Sequence, residues 1–168
     1  MFKMLLQKSG WMFLLLFGLT LAAHGAELQG RVVRVADGDT LTLRDAQGVQ
    51  HRIRLQGIDA PEMEQPFGDR SRQYLIDLVY RREVTVVFSR RDTFDRAVGV
   101  ILLDGEDINL RMVAAGKAWH FSRMARHQPA ADRQAYADAE QAARQARLGL
   151  WTDPNPVPPW DFRRPSRP

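Results

Sequence analysis

Asp37-Gly38-Asp39-Thr40 and, a short stretch later, Asp59-Ala60-Pro61-Glu62 place acidic side chains at two tight turns, with Arg54 between them. Asp39, Asp59 and Glu62 are oxygen ligands or bases, and Arg54 is a fixed cation. Carboxylates gathered beside arginine are what a site needs to hold a hard divalent ion and a phosphate together. Each piece alone has a plainer use. Asp-Gly is a common hairpin turn, Arg52 and Arg54 would make an exposed strand face, and Glu62 after proline would be a solvated loop residue. Arg54 and Asp59 are five residues apart, an odd interval that puts them on opposite faces of an ideal strand. They meet only if the phase is reset, and Gly57 offers a place for a bulge. Arg96, in Asp92-Thr93-Phe94-Asp95-Arg96, is a second candidate cation; its plainer partner is Asp92 or Asp95 in a surface salt bridge.

The elements that must position these residues follow from periodicity. Residues 28–44 alternate apolar and polar around Asp37-Gly38-Asp39, which reads as a hairpin. His51 to Ile58 alternates again as a third strand, ended by Ala60-Pro61. Residues 69–82 carry Tyr74, Leu75, Leu78 and Val79 at helical spacing. Val84 to Phe88 and Ala97 to Leu103 read as fourth and fifth strands. A short helix follows with Ile108, Leu110, Met112 and Val113. Residues 130–147 form an alanine- and arginine-rich helix between Pro129 and Gly149. From Asp153 onward Pro154, Pro156, Pro158, Pro159, Pro165 and Pro168 exclude regular structure and predict a tail along the surface. The order predicts an α+β fold, mainly β: a five-stranded antiparallel OB-type barrel with about three helices inserted and appended.

Residues 1–25 have a basic start (Lys3, Lys8), an apolar run of about 13 residues and small residues at Ala23 and Gly25, the pattern of a secretory signal. The run is shorter than the ~20 residues of a spanning helix. The division is then a signal over 1–25, a domain over 27–152 and a proline-rich tail over 153–168. Loss of Lys3 and Lys8 reduces the formal charge from +4 to about +2, so the mature chain is mildly basic rather than a polycation. It is arginine-rich, which suits bidentate phosphate contacts. The chain has no cysteine, so packing alone must hold an exported fold, and thiolate nucleophiles and Cys-type metal sites are excluded. His51, His120 and His127 lack metal-ligand spacing, and no P-loop, GxGxxG or GxSxG motif is present.

DGDT, then RLQGIDAPE, then a DxFxR segment, in that order and at those intervals, resemble the staphylococcal nuclease family. LGLW followed by PxPPWDFRR resembles its exported bacterial branch. The resemblance covers roughly Leu28 to Arg164 and implies an OB barrel. It implies that Asp39, Asp59 and the backbone carbonyl of Ala60 ligate calcium. It also implies that Glu62 positions or deprotonates the attacking water, and that Arg54 and Arg96 bind the scissile phosphate. Ala60 replaces a threonine and Asp95 a glycine common in the family, and Trp119 and Phe121 lie where it usually carries base-stacking tyrosines. For Trp119 and Phe121, base stacking and a place in the core are both open.

The expected activity is calcium-dependent hydrolysis of DNA and RNA by an exported, periplasmic or secreted monomer that does not stay on a membrane once its signal is cleaved. Two rivals are a non-catalytic OB module that binds single-stranded nucleic acid, and an interaction domain using the tail. Retention of all five carboxylate and arginine positions favours the enzyme over the first. The tail lacks repeated PxxP spacing, which disfavours the second.

Overall fold

The computed structural model describes residues 26–164, apart from the side chains of Ser89 and Ala125. The predicted signal segment lies outside the described residues. In chain order the elements are β1 (Ala26–Val35), β2 (Thr40–Arg44), β3 (Gln50–Leu55), β4 (Ile58–Asp59), α1 (Gly68–Val79), β5 (Glu83–Arg91), β6 (Ala97–Leu103), β7 (Glu106–Asp107), α2 (Ile108–Ala114), β8 (Trp119–His120), α3 (Ala130–Gln145) and α4 (Pro159–Phe162). Two 3-10 turns, Ser122–His127 and Gly149–Thr152, link the later helices.

Five strands close into a barrel. β3 pairs with β2, β2 with β1, β1 with β5 and β5 with β6, all antiparallel. β6 then returns to β3 in parallel. The barrel is therefore mixed, not antiparallel throughout as the strand order suggested. The α1 crossover between the β3–β4 segment and β5 lets β6 run alongside β3 in the same direction, and closure leaves none of these five strands at an open edge.

Alternating side chains fill the interior: Val32 and Val35 of β1, Leu41 and Leu43 of β2, Ile53 and Leu55 of β3, Val86 of β5 and Ile101 of β6 are all buried. α1 packs on this core through Leu75 and Val79, with Tyr74 and Leu78 half-buried beside them. Asp107 caps α2 by accepting a hydrogen bond from the Leu110 N–H at 2.9 Å. Two residues after the cap, Asn109 is fully buried yet satisfied: its Oδ1 accepts from the Ile101 N–H, and its Nδ2 donates to the carbonyls of Gln56 and Gly99. That side chain ties α2 to the barrel and to the turn that follows β3. α3 is tied to the same corner by the Tyr136 hydroxyl, which donates to Asp107 Oδ2 at 2.8 Å.

A second, smaller core joins Trp119, Ala143, Leu150 and Trp151, with Phe67 and Trp160 packed against it. Trp160 belongs to the tail. The tail, expected to lack regular structure and to run along the surface, carries one regular turn: Pro159 opens α4, where a fixed φ and a missing N–H cost nothing. The helices thus number four among the described residues. No described helix is long and apolar enough to cross a membrane.

Candidate active site

Backbone register brings the predicted residues together. Thr40 of β2 lies opposite Arg54 of β3, so Asp39, one step before the strand, reaches the same end of the barrel. The turn is tight: the Asp39 N–H donates to Asp37 Oδ1 at 2.9 Å and the Ala36 N–H to the Thr40 carbonyl at 2.9 Å. Gly38 is required by close approach. A Cβ there would stand 1.9 Å from Ser71 Oγ and 2.6 Å from Ala60 Cβ.

The Arg54–Asp59 phase problem is solved by a turn rather than a bulge. β3 stops at Leu55, Gly57 takes φ +76°, and the chain resumes as β4, which pairs with β8 instead of the barrel. The positive φ is one that glycine adopts without strain. Arg54 Nη2 then donates to Asp59 Oδ1 at 2.6 Å, and its Nη1 pairs with Asp39 Oδ1. One guanidinium fork therefore bridges two carboxylates that are 2 % and 0 % exposed. Thr40 Oγ1 and the Ala60 N–H also donate to Asp39, the latter at 2.7 Å to Oδ2. Asp39, Arg54, Asp59 and Ala60 thus form one buried polar cluster.

The parallel β3–β6 register sets the second arginine. Arg54 lies opposite Val98, two residues from Arg96, so the two arginines share a face. Both line one cavity of about 460 Å³, together with Glu62, Phe94, Phe121 and Arg163. Arg96 makes no hydrogen bond to the buried carboxylates. It is aimed by Asp92, which accepts from Arg96 Nε at 2.7 Å and from its backbone N–H at 3.0 Å, and it lies over the Phe94 ring. The salt bridge to Asp92 and the place in the cavity are thus compatible. Burial pushes the Asp92 carboxyl up, but the Arg96 donors outweigh it and hold the group below the usual carboxylate range. Asp37, also on the cavity wall, shows the opposite balance: burial dominates and raises its carboxyl despite Arg54.

Asp95 takes φ +57°, the left-handed conformation a glycine would adopt there. The turn is preserved, and the Asp95 carboxylate pairs with Arg91 at 3.2 Å rather than with Arg96.

Glu62 joins the cluster through a residue the sequence reading missed. Arg163, just past α4, donates through Nη1 to Glu62 Oε1 at 2.5 Å and to Asp59 Oδ1 at 3.2 Å, and through Nη2 to Asp59 Oδ2 at 2.7 Å. These bonds, to Asp59 first, hold its guanidinium charged more firmly than usual. Proline at the first position of a turn and Asp161 in that turn are a sequence signal for α4. Nothing local says that Arg163 docks 104 residues away.

Of the two aromatic candidates, Trp119 belongs to the second core, 6 % exposed and edge-on to Trp151 at 4.4 Å. Phe121 lines the cavity and stacks on Trp160 at 5.4 Å.

Among the described residues no group of three or more His, Cys, Asp or Glu side chains closes to metal-ligating range. The oxygens of Asp39 and Asp59 are of the type a hard divalent cation takes and a soft one does not; in this structure they are engaged by the Arg54 and Arg163 guanidinium groups, the Thr40 hydroxyl and the Ala60 N–H.

The family model described as "Staphylococcal nuclease homologue" matches residues 52–153. A protein of Shigella flexneri named micrococcal nuclease is 41% identical over 152 residues, covering 84% of this chain and 84% of its own. Protein ParB of Escherichia coli is 43% identical over 151 residues, 84% of this chain and 82% of its own. An uncharacterized endonuclease of Haemophilus influenzae is 36% identical over 154 residues, 92% of this chain and 83% of its own.

Proposed function

The chain belongs to the staphylococcal nuclease family and is a nuclease, and from that premise we propose that it is a calcium-dependent phosphodiesterase acting on both DNA and RNA. The observation that carries this reading is the Arg54 fork. It joins Asp39 to Asp59 beside a cavity that also holds Glu62 and Arg96.

Asp39, Asp59 and the Ala60 carbonyl would hold the ion, which when bound supplies Lewis-acid polarisation of a non-bridging phosphate oxygen. Glu62 accepts the proton of an attacking water. Arg54 and Arg96 face the charge that grows on the phosphoryl oxygens. They are held in place by Asp39, Asp59 and Asp92, so little reorganisation is needed at the moment of reaction. Because that charge is larger in the transition state than in the bound substrate, the two guanidinium groups accelerate the step rather than merely retain the chain. The protein acts as an exported monomer.

The test is incubation of the mature chain with single-stranded DNA and with RNA, in calcium or in excess chelator. Degradation of both in calcium that stops on chelation is expected. Retention without cleavage would instead mark a binding module, and cleavage unaffected by chelation would remove the ion from the mechanism.

A further inference from the structure

β5 runs to the rim of the cavity, and a register shift decides which way its end points. Val84 and Val86 are buried in the barrel interior, and Phe88 packs against the same core. Strand parity would send Arg90 inward after them. Instead the β5–β6 register slips between Phe88 and Arg90: Phe88 lies opposite Gly99, and Arg90 opposite Val98. The extra residue makes a bulge, a device that re-aims a side chain. Val98 is also the partner of Arg54 across the parallel β3–β6 ladder. Arg54, Val98 and Arg90 therefore form one row across three strands, and all three line the cavity.

Arg90 differs from the other arginines of that wall. Arg54, Arg96 and Arg163 each pair with a carboxylate. The acidic side chains nearest Arg90 in sequence are taken, Asp92 by Arg96 and Asp95 by Arg91. Among the described residues Arg90 is thus left with no anionic partner, although it is half-buried. A partly desolvated cation beside further guanidinium groups is an unfavourable arrangement that an incoming anion relieves. The Cα atoms of Arg90 and Arg54 are two strand spacings apart, about 10 Å. Arginine side chains are long enough to bring two guanidinium groups from that spacing onto successive phosphates of one strand.

We propose that Arg90 binds the phosphate next to the scissile one, so that the site recognises a strand of at least two successive phosphates and not a lone phosphodiester. The proposal rests on the nuclease reading above. The neighbouring phosphate keeps its charge through the reaction, so this contact is as strong in the bound substrate as in the transition state. It is felt in KM and not in kcat.

The test compares the mature parent chain with Arg90→Gln and Arg90→Lys in calcium. The substrates are two thymidines joined by one phosphodiester and single-stranded hexathymidylate. Arg90→Gln should raise KM for hexathymidylate about fivefold or more with kcat within about twofold, and should change KM for the shorter substrate less than about twofold. The shorter substrate also reports any damage to the fold. Arg90→Lys should recover part of the loss, because it keeps the charge. Hexathymidylate affinity, read by fluorescence anisotropy against log salt, should fall less steeply in Arg90→Gln, by about 0.7 in slope, the share of one phosphate contact on a single strand. Equal losses on both substrates, or an unchanged KM for hexathymidylate, would overturn the proposal and leave the nuclease reading intact. A parent chain that cleaves neither substrate would overturn both.

Discussion

At the scale of single residues the site is a set of charges held by one another, and the roles separate by what each side chain touches. Glu62 borders the cavity, whereas Asp39 and Asp59 are buried behind the arginines. Glu62→Gln is therefore expected to lower kcat on single-stranded DNA by about a hundredfold or more, with oligonucleotide affinity, read by fluorescence anisotropy, changed only severalfold. Arg54→Ala strips both buried carboxylates of their shared cation. It should cost about 3 kcal/mol of transition-state stabilisation and also lower the urea midpoint, because Asp39 is left buried without a cationic partner while Asp59 keeps Arg163. Arg96→Ala should show a comparable loss of kcat/KM with a smaller stability change, since its partner Asp92 lies at the cavity rim. Asp95 offers the reverse case. Its left-handed conformation strains any residue but glycine, and its exposed pair with Arg91 contributes little. Asp95→Gly should stabilise the fold by up to about 1 kcal/mol in urea titration with cleavage retained.

At the scale of elements, the strands and helices were legible because their periods are clean: α1, α2, α3 and β6 lie within a few residues of where the pattern puts them. The Asp37–Thr40 turn was legible for the same reason, since turn chemistry is local; strand parity put Arg54 and Asp59 on opposite faces, and the Gly57 turn is what brings them together. Two things were not. The parallel β3–β6 closure depends on which strand a distant strand meets, and no short-range pattern encodes it. The docking of Arg163 depends on Trp160 finding Trp119 and Phe121, again a long-range event, so prolines that read as loop conceal a structured turn. Element junctions also make sharp predictions. Gly38 faces Ser71 of α1 and Ala60 after β4, both buried. Gly38→Ala should force the turn outward, costing about 1–3 kcal/mol and displacing Asp39, so that cleavage falls with stability. Tyr136→Phe removes the α3 donor to the half-buried Asp107 and should cost about 1–2 kcal/mol without touching kcat.

At the scale of the whole molecule, the same balance of burial and partners sets the response to pH. Asp92 has its carboxyl depressed in the fold; its stabilising contribution is present above the unfolded value near pH 4 and is lost as pH falls through the lower folded value. Asp37 is raised, so its contribution is present below that unfolded value and lost as pH rises through the folded one. Asp92→Asn should therefore be less stable than the parent at neutral pH with the gap closing in acid. Asp37→Asn should be the more stable at neutral pH, its advantage likewise disappearing in acid; urea unfolding across the acid range reads both. The barrel, the second core and the tail all exist around one meeting point of carboxylates and guanidinium groups. The most direct measurement of that claim is a crystal structure of the mature chain with calcium and a non-cleavable dinucleotide. An ion ligated by Asp39 and Asp59 at about 2.4 Å is expected, with the phosphate against Arg54 and Arg96. Calcium bound elsewhere, or a phosphate seated away from both arginines, would contradict it.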